Sequence, residues 1–205
     1  MSLAMELQPS FRKIILVTGP ARSGKSEWAE TLALRAGKAV TYVATAHIDP
    51  TDLEWQTRIE HHRQRRPPDW QTFDMSTNTS MELAEVLGTA PENHCLLVDS
   101  LGTWLANYLE QDEDTWAKTA QHFLESLANT VCDVIFVAEE TGWGIVPAYP
   151  LGRTFRDRLG YLTRQVGAIA SPVYLVTAGH VLNLSALGMP LTNPVSISPS
   201  LQPNG

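Results

Sequence analysis

Three things are scarce in this 205-residue chain, and each scarcity removes a class of protein from consideration. No apolar run approaches the roughly 20 residues that a bilayer-spanning helix needs, and the opening MSLAMELQPSF lacks the charged-then-apolar layout of a secretory signal. Cysteine occurs only as Cys95 and Cys132, both inside apolar strand-like runs. That pattern excludes a disulfide-built scaffold and reads as buried free thiols in a reducing compartment. Positive charge is in deficit, 15 Lys and Arg against 22 Asp and Glu, for a net charge of −7. A general nucleic-acid-binding surface is therefore not expected, although local basic clusters remain open. The expectation is a cytoplasmic protein with no membrane insertion and no nucleic-acid partner.

What is present is an ordinary globular composition, 43% hydrophobic and 18% charged, on a chain long enough for one substantial core. Apolar runs at Ile14–Val17, Ala39–Ala44, Cys95–Val98, Val131–Ala138 and Val173–Thr177 read as strands. Helical patterns lie between most of them, at Ser26–Ala36, about 51–66, about 80–88, about 114–129 and 153–170. In the last of these, Phe155, Leu159, Leu162, Val166 and Ile169 form one stripe. Strands alternating with helices predict an α/β fold with a mainly parallel sheet, and unbroken apolar strands predict that both its faces are covered. Residues 1–12 read as a leader, 13–191 as a single domain and 192–205 as an irregular tail. The Gly- and Pro-rich segment 138–152 is too long for a simple turn and reads as an ordered functional loop.

The chain is organised around residues 13–36. The run Ile14–Val17 is followed by Gly19-Pro20-Ala21-Arg22-Ser23-Gly24-Lys25-Ser26, the full G-x-x-x-x-G-K-[ST] pattern, and then by a helical pattern with Trp28, Ala29, Leu32 and Ala33. Gly19 and Gly24 let the backbone curl so that successive N–H groups face phosphate oxygens. Lys25 supplies a charge for the β- and γ-phosphates, and the Ser26 hydroxyl suits Mg²⁺. A nucleoside triphosphate is the expected ligand. Asp99 closes the apolar strand in LLVDSLGTWLAN, where a carboxylate holding Mg²⁺ directly or through water belongs; a helix cap is the alternative use for it.

The helix predicted at 51–66 carries adjacent histidines. At about 100° per residue, Trp55, Ile59, His62 and Arg66 share one stripe, and Glu54, Arg58, His61 and Arg65 share another. His62 continues the apolar stripe, so it is expected to pack or hydrogen-bond against the body of the protein. His61 stands one turn from Arg58 and from Arg65, and like charge favours its neutral, nucleophilic form. Two readings of that face remain open: a phosphoryl- or nucleotidyl-accepting site, or a solvated basic surface.

The segments VTGPARSGKS, TYVATA, RIEHHRQRRPPDW, LLVDSLGTWLAN, ETGWGIVP and FRDRLGYLTRQV, in this order, resemble the bifunctional adenosylcobinamide kinase / adenosylcobinamide-phosphate guanylyltransferase family of cobalamin biosynthesis. The similarity runs from about Ile14 to Gly179, and the pairing of R-I-x-H-H-[KR]-x-x-R-P with G-x-G-I-V-P is its most specific part. It implies a P-loop NTPase-like three-layer α/β sandwich that assembles as a homotrimer. It also implies that Gly19 to Ser26 bind GTP or ATP, with Lys25 acting in catalysis. His61 would be the nucleotidylated histidine, with His62, Arg63, Gln64 and Arg65 against the guanine nucleotide. Ala44, Thr45 and Ala46 match a second nucleotide-contacting stretch, and Asp74 and Asp99 fall where the family has acidic residues. The implied cofactor is Mg²⁺ and the implied acceptor a corrinoid, for which Glu140, Trp143 and Arg153 are candidates by position. Two departures stand out. Glu139-Glu140-Thr141 replaces a common Asn-Glu, and the chain runs on past Gly179 through His180 into a neutral tail.

Overall fold

The computed structural model describes residues 12–46, 51–77 and 81–191. Within them, the side chains of Glu54, Trp55, Arg58 and His61 also lie outside the described set, as do the tail 192–205 and all of the expected leader except Arg12.

The chain runs β1 (Ile14–Gly19), α1 (Lys25–Arg35), β2 (Ala39–Ala44), α2 (Leu53–Arg65), β3 (Gln71–Asp74), α3 (Leu83–Thr89) and β4 (His94–Asp99). It continues α4 (Leu101–Ala106), α5 (Glu113–Asn129), β5 (Asp133–Glu139), α6 (Pro150–Ile169), β6 (Val173–Thr177), β7 (His180–Asn183) and α7 (Leu184–Leu187). The strands form one sheet in the order β3-β2-β4-β5-β1-β6-β7, parallel throughout except for the antiparallel edge strand β7. This is the expected layered α/β architecture.

Both faces of the sheet are covered, and the alternation of side chains sorts the core into two halves. Leu16, Leu96, Val98, Val134 and Phe136 point to the side of α3, α4, α5 and α6, where they meet Leu87, Trp104, Phe123 and Leu162. Ile15, Val17, Cys95, Leu97, Ile135 and Val137 point the other way, against Ala29 and Ala33 of α1. The small residues on α1 let it lie close to the strands. On the thicker side, Trp104 packs on Phe123 with ring centroids 4.9 Å apart, and Phe123 meets Phe136 edge-on at 5.8 Å. Such aromatic contacts contribute about 0.5–1.5 kcal/mol beyond their buried area.

The helices start where their sequences supply caps. Asp112 accepts the N–H of Thr115 at α5, and Ser100 accepts that of Thr103 at α4. Pro150 stands at the first turn of α6, which begins three residues before its predicted start. In its stripe Leu159, Leu162 and Val166 are buried, while Ile169 is exposed. Arg158, on the same helix, is buried and donates to the carbonyls of Tyr108 and Gln111, tying α6 to the α4–α5 connection. Three elements lie outside the sequence expectation, β3, β7 and α7; α4 answers the alternative reading of the strand end as a helix start, with Ser100 and not Asp99 as its cap.

Candidate nucleotide-binding site

Parallel strands direct their carboxyl ends to one edge of the sheet, the usual place for a ligand in open α/β folds. Here that edge gathers Gly19, Ala44, Asp74, Asp99 and Glu139. Strand order decides which of them are neighbours. Because β5 lies between β4 and β1, Glu139 is in register with Gly19, whereas Asp99 is one strand further away.

The P-loop leaves Gly19 and turns into α1 through Gly24, whose φ of +90° is the left-handed conformation that favours glycine. A Cβ on Gly19 would stand 2.3 Å from the Val176 carbonyl oxygen and 2.8 Å from Ser23 Oγ, so the loop can be seated here only without a side chain. Pro20 is half-buried, Ala21 and Arg22 are exposed, and the buried Ser23 hydroxyl has no partner among the described residues. Lys25 is buried, and its ammonium lies 3.4 Å from the Pro20 carbonyl, a long contact.

A single cavity joins this loop to α2: Lys25 and Ser26 line it together with Ala44, Ala46, Asp74, Asp99 and Glu139 from the strand ends, and Ile59, His62 and Arg66 from the α2 side. Asp99 Oδ2 accepts the Tyr42 hydroxyl at 2.7 Å and lies 3.8 Å from His62 Nδ1. Burial, with the neighbouring Asp99 charge, holds the Tyr42 phenol well above its ordinary range. Thr45 is buried behind the cavity, donating to the Ser100 carbonyl at 2.7 Å and accepting the Ser100 N–H at 2.8 Å. It therefore fixes the turn that carries Asp99. Asp74 accepts the N–H and hydroxyl of Ser76.

In the sequence Glu139 marks only a departure from a pattern, yet its carboxylate faces the cavity. Oε1 accepts the Ser100 hydroxyl at 2.5 Å and Oε2 the Gly102 N–H at 3.0 Å. Burial raises its pKa, with Asp99 adding to the shift and Ser100 and Lys25 opposing it. Glu140 instead accepts the Thr18 hydroxyl and donates its N–H to the Gly19 carbonyl, anchoring the next loop to the P-loop strand. In that loop Trp143, Ile145, Val146 and Tyr149 are exposed, and Arg153 donates to the carbonyls of Pro147 and Ala148.

The basic run on α2 divides by direction. Of the four residues His62 to Arg65, His62 lines the cavity. Arg63 and Gln64 turn outward to Glu60, at 3.5 Å and 3.1 Å. Arg65 reaches α1 and bonds Glu27 and Glu30, both at 3.0 Å. With two carboxylates on it, Arg65 is a weaker source of positive potential for His61 than helix spacing alone implies. The His61 backbone lies in α2; its side chain is outside the described residues.

Hard oxygen donors suit Mg²⁺, which keeps much of its water and needs few protein ligands. The Ser26 hydroxyl and the Asp99 carboxylate open on the same cavity and fit that requirement. Among the described residues no group of three or more His, Cys, Asp or Glu side chains converges as a metal cage. No described helix is long and apolar enough to cross a membrane.

Fold and site together define a P-loop nucleotide-binding protein of the layered α/β class. Residues 15–184 match the family described as cobinamide kinase / cobinamide phosphate guanyltransferase, and the chain belongs to that family; it is an enzyme, a transferase of cobalamin biosynthesis. It is 38% identical over 178 residues to the bifunctional adenosylcobalamin biosynthesis protein CobP of Pseudomonas aeruginosa, covering 86% of this chain and 98% of the relative. The corresponding CobU proteins of Escherichia coli and Salmonella typhimurium are 36% and 34% identical, each match covering 81% of this chain and 96% of the relative. Likeness to solved structures is remote, as with the flagellar accessory protein FlaH of Methanocaldococcus jannaschii at 17% identity and a TM-score of 0.43, over 82% of this chain and 74% of that one.

Proposed function

We propose that this enzyme phosphorylates the aminopropanol hydroxyl of adenosylcobinamide with ATP or GTP, then transfers GMP from GTP through His61 to give adenosylcobinamide-GDP. The observation that carries this reading is the shared cavity. Lys25 and Ser26 of the P-loop open on the same space as Ile59, His62 and Arg66, so the helix bearing His61 forms one of its walls. The conclusion rests equally on membership of the family.

In the first reaction the acceptor hydroxyl oxygen bonds to the γ-phosphorus while the β–γ bridging bond breaks and the nucleoside diphosphate leaves. Lys25 and the loop amides hold the charge that builds on the transferring oxygens. Mg²⁺ bound by Ser26 and Asp99 would neutralise phosphate charge. In the second, a ring nitrogen of His61 bonds to the α-phosphorus of GTP and pyrophosphate departs. A phosphate oxygen of the acceptor then displaces the imidazole, which leaves readily once protonated. Ala44, Ala46 and His62 line the nucleotide's cavity, and Asp74 faces it at the β3 end.

We read residues 13–191 as one domain acting in the cytoplasm as a homotrimer, the last by family resemblance. The test is incubation with GTP labelled at the α-phosphorus. Acid-labile, alkali-stable label is expected on the protein, lost in His61→Ala and kept in His62→Ala. Label persisting without His61 would end the assignment.

A further inference from the structure

The residue after the last turn of α2 has surroundings that its neighbours do not share. Arg66 is half-buried, and its guanidinium carbon lies 3.4 Å from the centroid of the Tyr42 ring. Tyr42 is itself buried and fixed by its bond to Asp99, so the plane on which Arg66 rests cannot turn freely. Stacked in this way, a guanidinium keeps its edge donors available while losing little further freedom when a ligand arrives.

Those donors are barely used. Nη1 reaches Thr72 Oγ1 at 3.4 Å, a long contact, and the buried Nε has no partner among the described residues. Arg65 by contrast spends its donors on two carboxylates of α1. A buried donor left unsatisfied costs about 1–3 kcal/mol, so the few bonds made by this guanidinium call for an explanation. Arg66 lines the same cavity as Lys25 and Ser26. Three carboxylates, Asp74, Asp99 and Glu139, also line it, and against them Lys25 and Arg66 are, among the described residues, the permanent side-chain cations that the cavity offers an anion.

We infer that Arg66 is a second phosphate-binding cation, gripping the phosphate chain of the bound nucleoside triphosphate from the α2 side while Lys25 grips it from the P-loop. The inference rests on the nucleotide reading of the cavity and adds to it a role for Arg66, the arginine that precedes Pro67 at the end of the histidine motif and to which the resemblance assigns none. It also accounts for how α2 is kept in place during the reaction. Tethered to the phosphate chain through Arg66, the helix stays beside the phosphorus at which its histidine is proposed to act.

The test compares Arg66→Gln with Arg66→Lys by titration of each protein with GTP, alongside melting of each without nucleotide. Gln retains a planar polar group on a shorter stem but carries no charge; Lys retains charge without the plane. A phosphate role predicts GTP affinity lowered roughly ten- to a hundredfold in Arg66→Gln and by a clearly smaller factor in Arg66→Lys, which keeps the charge but loses the stacked plane. Apo melting of the Gln variant should stay close to wild type. Wild-type affinity in Arg66→Gln, or a Lys variant weaker than the Gln variant, would show that Arg66 only braces Tyr42 and would overturn the inference. Failure of the wild-type protein to bind GTP would refute the nucleotide reading itself, a result distinct from either.

Discussion

The strand-end wall of the cavity is held by backbone ladders and by carboxylates bonded to it, Asp74 and Glu139 through two bonds each and Asp99 through one, whereas the α2 wall is held, among the described residues, by polar side chains. On the first wall Glu139 spans to Ser100 and Gly102, Thr45 locks the Ser100 turn, and Gly19 is pressed against the β6 backbone. On the second, no described side chain of α2 belongs to either buried core cluster. Its links are Arg65 to Glu27 and Glu30, and His62 near Asp99, with Arg66 on Tyr42 just beyond its end. Ladders and buried bonds persist in salt; exposed ion pairs do not. The contrast suits the two chemistries. Phosphoryl transfer needs a rigid anion cradle, while a helix carrying the proposed nucleophile would have to meet the α-phosphorus and later the acceptor.

Removing the charge of the rigid wall should have the largest effect. Lys25→Ala is expected to lower transfer from γ-labelled ATP to cobinamide by about a hundred- to a thousandfold, as losses of transition-state charge stabilisation do. Unchanged transfer would remove the loop from the kinase step and dissolve the distinction between the walls.

A smaller and more selective effect is expected from Arg65→Ala. Its pair with Glu27 is solvated, but Glu30 is only 12% exposed and would lose its cation, so folding stability should fall by about 1 kcal/mol or somewhat more. Formation of the protein–GMP adduct should nevertheless fall several-fold, with phosphoryl transfer little affected, and wild-type adduct formation should decline as salt is raised. Equal losses in both activities would mean that α2 is as firmly part of the sheet as the P-loop is.

The smallest effect concerns pH. Burial raises the Glu139 pKa in the folded state. A carboxyl raised in this way favours the fold most below the ordinary carboxylate range, where it is protonated in both states. That contribution is lost as pH rises through the raised value. Glu139→Gln removes the titration, so urea melts without nucleotide or Mg²⁺ should move in favour of the Gln variant between acid and neutral pH. A gap that stays constant across that range would show that the carboxylate is not held in a desolvated wall.

Legibility in the sequence follows the density of the signal. β1, β4 and β5 are continuous apolar runs, and their observed ends fall within two residues of those expected. β3 and β7 are four-residue edge strands with largely exposed or half-buried side chains, and so have no periodic burial to announce them. α4 is six residues long, too short for a helical stripe, although a cap at that strand end is visible in the sequence as an alternative. Glu139 is open to the logic applied to Asp99, since both are acidic residues closing an apolar strand. Grouping it with a loop motif conceals the parallel. On α2 the stripe of Ile59, His62 and Arg66 follows from helical spacing, but its destination, a cavity instead of a core, does not.

Local chemistry therefore determined a good deal: where the longer strands and helices lie, the phosphate-cradling turn between Gly19 and Ser26, and the grouping of side chains along α2. These depend on residue type and spacing over a few turns. The tertiary structure alone decided that β5 lies between β4 and β1, which sets Glu139 beside the P-loop and leaves Asp99 one strand away. It also decided that Arg65 is consumed by α1 while Arg66 opens on the cavity. Pairing partners and helix docking come from contacts between residues tens of positions apart, and no periodicity along the chain encodes them.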